Sequence, residues 1–151
     1  MDTVKVARLL SRQRHDYANH LQVIKGYMEL KMPERALEYL DSAVRELAQE
    51  SRLFNFLPPA MSILLFELQL WARDRGICLR LGELAVNDSA DTGFPQELTE
   101  LYQILEDIKV PDGEEEFEVR LDLVEDKGQM LIRLIWSGES ETVRREIVLT
   151  R

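Results

Sequence analysis

The sequence predicts an α+β fold: a long helical hairpin, then a small domain of two helices on one face of a mixed sheet. Two stretches of helical period are joined by only two residues, Lys31-Met32. Three runs of alternating apolar residues follow one another between Phe117 and Leu149. Between these regions the composition breaks at Asn55-Phe56-Leu57-Pro58-Pro59, which places the expected domain boundary between residues 1–55 and 56–151.

The first helix is expected over residues 2–30, with Ala7, Leu10, Tyr17, Leu21, Ile24 and Met28 spaced by threes and fours. Arg14 is the one polar residue in that seam. Pro33 is a favoured first-turn residue and opens a second helix to about Phe54, with Ala36, Leu40, Ala43, Leu47 and Phe54 on one face. Val6, Leu9, Val23 and Leu30 lie outside the main seam, so one partner helix cannot cover every apolar position. Two hairpins paired as a four-helix bundle in a homodimer would cover them.

Pro59 opens an apolar helix to about Arg75, ended by Gly76. Ile77, Leu79 and Leu81 alternate as a strand, and a polar loop is expected over 82–93. Pro95 starts a shorter helix with Leu98, Leu101, Leu105 and Ile108 inward. Three strands then follow through Phe117–Leu123, Met130–Trp136 and Val143–Leu149, the first two joined by an Asp126-Lys127-Gly128 hairpin turn. Trp71 and Tyr102 on the apolar helices, and Cys78 in the first strand, are expected in the core.

The chain has 151 residues and a net charge of −9, unevenly spread. Residues 1–31 carry six Lys/Arg against three Asp/Glu, whereas residues 56–151 carry ten against twenty. An acidic body argues against nucleic acid as the main partner, because that affinity comes largely from cations on phosphates. One cysteine excludes a disulfide framework within the chain, and with no Cys/His cluster a structural zinc site is excluded too. Glu114-Glu115-Glu116 reads as a solvated turn, since consecutive carboxylates diverge and lack calcium-loop spacing. No apolar run approaches the length of a membrane span, and with no signal-like start the expected location is cytoplasmic.

Both histidines, His15 and His20, fall on the first helix. At about 100° per residue, Arg8, Arg12, His15, Asn19 and Gln22 share a polar stripe beside the seam. A neutral imidazole is a nucleophile near pH 7, and cationic neighbours favour that form while attracting a phosphoryl group. Asp16 is placed to orient the ring.

The run Arg14-His15-Asp16-Tyr17-Ala18-Asn19-His20-Leu21-Gln22-Val23-Ile24-Lys25-Gly26 fits the pattern Arg-His-Asp-aromatic-x-Asn-x-Leu-Gln-x-Ile-x-Gly. It closely resembles the phospho-acceptor helix of the sporulation initiation phosphotransferase B family and its relatives among sensor histidine kinases. The resemblance is strong over residues 10–54. It implies that His15 is phosphorylated, that Arg14 and Arg12 steady the phosphoryl charge, and that Asp16 and Asn19 position the ring. Arg8, Arg12 and Gln22 would dock response regulator receiver domains, and His20 would be a rim residue meeting Asp16.

By the same resemblance, residues 56–151 look like a degenerate kinase ATPase-like α/β sandwich. The helix at 96–108 contains no asparagine for magnesium, and Gly138 stands without the neighbouring glycines of a phosphate lid. The expected function is therefore phosphorelay between response regulator aspartates, with no cofactor bound by this chain and Mg2+ supplied by the regulator. The alternatives are a cytoplasmic sensor kinase using ATP and a non-catalytic dimeric docking scaffold.

Overall fold

The computed structural model describes residues 2–86, 98–113 and 116–150. The order is α1 (Thr3–Glu29), α2 (Pro33–Phe56), α3 (Pro59–Arg73), β1 (Ile77–Ala85), α4 (Thr99–Glu106), β2 (Phe117–Asp126), β3 (Gln129–Ser137) and β4 (Thr142–Thr150). Helices followed by a four-stranded mixed sheet make the α+β class expected from the sequence. The chain divides into two compact units, Met1–Ser51 and Arg52–Arg151, so the division falls inside α2 and not at the Pro58-Pro59 break. The reason is local: Leu53, in the last turns of α2, is fully buried, and its carbonyl accepts from the Ser62 hydroxyl of α3 at 2.8 Å.

In the first unit, α1 begins at Asp2, whose carboxylate accepts the N–H groups of Val4 and Lys5. That satisfies two of the free donors of the first turn. The helix ends in a Schellman turn in which Met32 N–H donates to the Tyr27 carbonyl and Lys31 N–H to that of Met28. Lys31 takes the left-handed conformation, φ 58°, that glycine usually fills at this position. Pro33 then starts α2, and the chain reverses within the two residues expected.

The inward face of α1 differs from the sequence expectation, and on α2 only the alanines of the expected face turn inward. Val6 and Leu9 are half-buried, whereas Leu10, Tyr17, Leu21 and Met28 of the expected seam are exposed, Leu21 at 68%. On α2 the small residues Ala36 and Ala43 are buried, while Leu37, Leu40, Val44 and Leu47 are exposed. Two alanines allow close approach of the helices, and the leucines are left on the flank. On each helix the exposed stripe lies about a quarter turn beyond the inward one, as positions one residue later do. Since the helices are antiparallel, both stripes face the same side of the hairpin.

In the second unit, β1 pairs parallel with β2, and β2, β3 and β4 follow as antiparallel neighbours. The parallel step requires a crossover, which carries α4. One sheet face is packed: Met61, Leu65 and Leu68 of α3 and Leu101 and Leu105 of α4 are buried with Val119, Leu121, Leu123, Ile132 and Leu134. The β2–β3 turn is Lys127-Gly128, both residues at positive φ, as a two-residue hairpin requires. Strand β1 is longer than expected and takes in residues 82–85; Pro95 and Glu114-Glu115 lie outside the described residues.

Three core expectations are corrected. Trp71 and Tyr102 are half-buried and meet edge-on at 4.9 Å between centroids, with the Arg75 guanidinium 3.6 Å over the indole face. Their polar rims explain this placement at the border of the helix layer. Burial, with Glu67 nearby, pushes the Tyr102 phenol up to about 12. Cys78 is half-buried and alternates to the sheet face opposite the packed residues; burial raises its thiol above the ordinary value.

On that open face, Asp122 is only 2% exposed. It accepts Glu83 N–H at 2.8 Å and Arg120 Nε at 2.8 Å, with Arg133 Nη1 at 3.5 Å. This carboxylate fixes the irregular step in β1 between Leu81 and Leu84, while Arg52 donates to the carbonyls of Leu81 and Gly82. A Cβ at Gly82 would stand 2.0 Å from Asp122 Oδ1, so the residue must be glycine. Burial alone would raise the Asp122 pKa, but the Arg120 and Glu83 hydrogen bonds and the Arg120 and Arg133 charges outweigh it and hold it low. Asp122→Ala is expected to destabilise the protein by about 1–3 kcal/mol at neutral pH, read by urea denaturation. A depressed folded pKa gives stability that is present above the unfolded value and lost as pH falls through the folded one. The deficit should therefore shrink below about pH 4.

Candidate functional site

Along α1, the stripe opposite the exposed apolar side carries Arg8, Arg12, His15, Asn19 and Gln22, and all but half-buried Arg12 are exposed. The His15 side chain is 74% exposed. Its Nδ1 lies 3.3 Å from Asn19 Nδ2, one turn along, and 3.7 Å from Asp16 Oδ1. No group among the described residues engages Nε2. The ring therefore stands with one nitrogen held toward the helix and the other open to a partner.

The arginines stand differently from the expectation. Arg14 is exposed but points about 100° around the helix from His15, toward the apolar side, because neighbouring residues on a helix diverge. The structure thus brings Asn19 and Asp16 to the ring, and neither Arg14 nor Arg12.

His20 belongs to another environment. Its Nδ1 lies 2.9 Å from the Tyr39 hydroxyl and its Nε2 3.8 Å from Glu46 Oε2, both on α2. Burial, then the Glu46 charge, raises the Tyr39 phenol above its ordinary value. The Tyr39 hydroxyl and Nδ1 share a hydrogen bond, and Nε2 faces the Glu46 carboxylate. With both nitrogens occupied and the side chain 23% exposed, His20 is a hairpin contact and not the rim partner of Asp16 that was expected.

Tyr39, Glu46 and the Gln13–Glu50 pair at 3.4 Å were not anticipated. The signal was present: Val6, Leu9, Gln13, Asp16, His20 and Tyr27 keep the three-four spacing through polar residues. Hydrophobicity alone selects the apolar stripe beside it. Among the described residues no three His, Cys, Asp or Glu side chains converge as metal ligands, and no helix is long and apolar enough to cross a membrane.

Residues 1–56 match the family described as the sensor kinase SpoOB-type alpha-helical domain. The helical hairpin is thus similar to the SpoOB-type alpha-helical domain. Its match ends with the last residue of α2 and contains the whole His15 stripe. The chain is also 35% identical over 60 residues to sporulation initiation phosphotransferase B of Bacillus subtilis (strain 168). That alignment takes in 40% of this chain and spans 31% of the relative's length.

Proposed function

We propose that this chain is a phosphorelay histidine phosphotransferase, taking a phosphoryl group from an aspartyl phosphate on one response regulator and passing it to another. The observation that carries this reading is the exposed His15 ring with Nε2 open and Nδ1 between two polar side chains. The name of the Bacillus subtilis relative supports the reaction class and sporulation as the process. In the forward step the Nε2 lone pair attacks phosphorus, the bond from phosphorus to the aspartyl oxygen breaks, and the carboxylate leaves with the electron pair. The test is incubation with a labelled phospho-receiver domain and no nucleotide; acid-labile, base-stable label on the chain is expected.

The partner for the exposed apolar side is a second copy. Leu10, Tyr17, Leu21 and Met28 with Leu37, Leu40, Val44 and Leu47 are all exposed on one side of the hairpin, and a contiguous apolar face marks an interaction surface. Two such faces together make a four-helix bundle, and His15, on the opposite side of the hairpin, stays open to the regulator.

Residues 56–151 are read as a degenerate ATPase-like domain. The one glycine between β3 and β4, Gly138, donates its N–H to the Glu141 carbonyl at 2.8 Å and closes a tight turn. That use, with no asparagine in α4, favours transfer over the ATP-dependent kinase reading.

The basic stripe is assigned to docking. Receiver domains gather carboxylates about the phosphorylated aspartate, so Arg8 would speed encounter without touching the phosphoryl group. Arg8→Glu should slow transfer at low salt and subsaturating regulator, with the difference fading as salt screens the pair. Equal rates for variant and parent at low salt would remove the stripe from docking.

A further inference from the structure

We infer that the open face of the four-stranded sheet is a docking surface for an acidic amphipathic helix of a partner protein. The inference is independent of the transfer reading. The pairing register sorts this face into three cross-strand rows. The first is Arg80, Arg120, Ile135 and Arg144, the second Asp122, Arg133 and Glu146, and the third Val124, Leu131 and Val148. Residues 56–151 carry twice as many Asp/Glu as Lys/Arg, yet the first row holds three arginines and no carboxylate. Each of these arginines is held by its Nε: Arg80 by Glu118 at 2.8 Å, Arg120 by Asp122 at 2.8 Å and Arg144 by Glu146 at 2.7 Å. A guanidinium has more N–H donors than one carboxylate can use, so one held at Nε keeps hydrogens for a second. About half of each side chain is exposed. The fork is also set before a partner arrives, which lowers the entropy lost on binding.

Spacing and chemistry select the partner. Neighbouring strands lie about 4.8 Å apart, close to the pitch of an α-helix at about 5.4 Å, so carboxylates one turn apart on a helix laid across the strands meet successive arginines. An extended chain repeats its same-face side chains about every 6.8 Å and falls out of step. The third row is apolar, with Val148 exposed and Val124 and Leu131 half-buried. Arg120 and Val124 lie on one strand four residues apart, about 13 Å. A helix is about 10–12 Å across with its side chains, so one lying over the second row reaches the arginines with one flank and the apolar row with the other. A polyphosphate chain fits worse, because Glu118, Asp122 and Glu146 stand beside the arginines and repel it.

The probe is a synthetic helical peptide with glutamates one turn apart along one flank and leucines along the other, titrated into the full chain at low salt. Amide shifts in NMR locate it, and fluorescence anisotropy gives its affinity. Shifts should centre on β1 to β4, and Arg80→Glu and Val148→Ser should each weaken binding by roughly three- to tenfold. Both side chains stand on the open face, so their replacement leaves the packed face intact. Changing the facing glutamate of the peptide to lysine should restore binding to Arg80→Glu, which a merely misfolded variant could not show. Equal affinity for a scrambled peptide of the same composition, shifts confined to the hairpin, or undiminished binding in either variant overturns the inference. So does tighter binding of a single-stranded oligonucleotide at the same residues, or self-association of the peptide-free chain that is lost in Arg80→Glu, which would make the occupant a second copy.

Discussion

His15→Gln is expected to abolish phosphoryl labelling entirely while leaving the hairpin folded. The side chain is 74% exposed and contributes no packing, so its replacement removes the nucleophile and little else. Glutamine keeps a similar length and good helix propensity but cannot form the phosphorus–nitrogen bond. His20→Gln should behave in the opposite way. It loses the Tyr39 bond and the Glu46 contact, so it should lower stability, by about 1 kcal/mol for the half-buried polar pair, and still accept label. Full labelling of His15→Gln would show that the acceptor lies elsewhere. Circular dichroism of both variants separates lost chemistry from lost structure, and an inactive but folded His15→Gln chain that still binds regulator sets the enzyme apart from a docking scaffold.

Leu21→Glu is expected to break the proposed homodimer. Leu21 is 68% exposed in the single chain and lies in the middle of the apolar stripe of α1. Burying a leucine stabilises an association by about 2 kcal/mol, and the variant loses this in both copies. An unpaired carboxylate in the bundle centre adds a desolvation penalty of several kcal/mol. Light scattering should report about twice the 17.6 kDa chain mass for the parent and the single mass for the variant. Transfer should fall with it, through loss of the bundle that keeps the hairpin rigid. A stable, fully active monomer would remove the bundle from the mechanism.

Much of the second unit was legible because its strands are amphipathic with period two. Phe117 to Leu123 alternate without interruption, Met130 to Trp136 keep the period with Leu131 and Ile135 on the other face, and Lys127-Gly128 can only turn. The β1 extension to Ala85 was not legible. It depends on Asp122 holding the backbone of Glu83 and on the space left at Gly82, which are contacts between residues distant in sequence. In the hairpin the two helices were legible, and so were the inward alanines of α2, but the facing side of α1 was not. Periodicity marks the most apolar stripe, and that stripe is left on the outside, whereas alanines and polar pairs such as His20–Tyr39 bring the helices together. At the site, the Arg14-His15-Asp16 word pointed to the nucleophile proposed here. Its immediate neighbours follow helix geometry instead: Asn19 is one turn ahead and within reach, and Arg14 is adjacent in sequence but turned away.

The most direct measurement joins two receiver domains through this chain. A labelled aspartyl phosphate on one receiver is mixed with a second, unlabelled receiver, with Mg2+ and no nucleotide, and the label on all three proteins is followed in time. Label should appear transiently on His15 and then on the second receiver, at a rate proportional to the concentration of this chain and absent with His15→Gln. Label reaching the second receiver at the same rate without the chain, or appearing on the chain only when ATP is added, would contradict phosphoryl relay through His15.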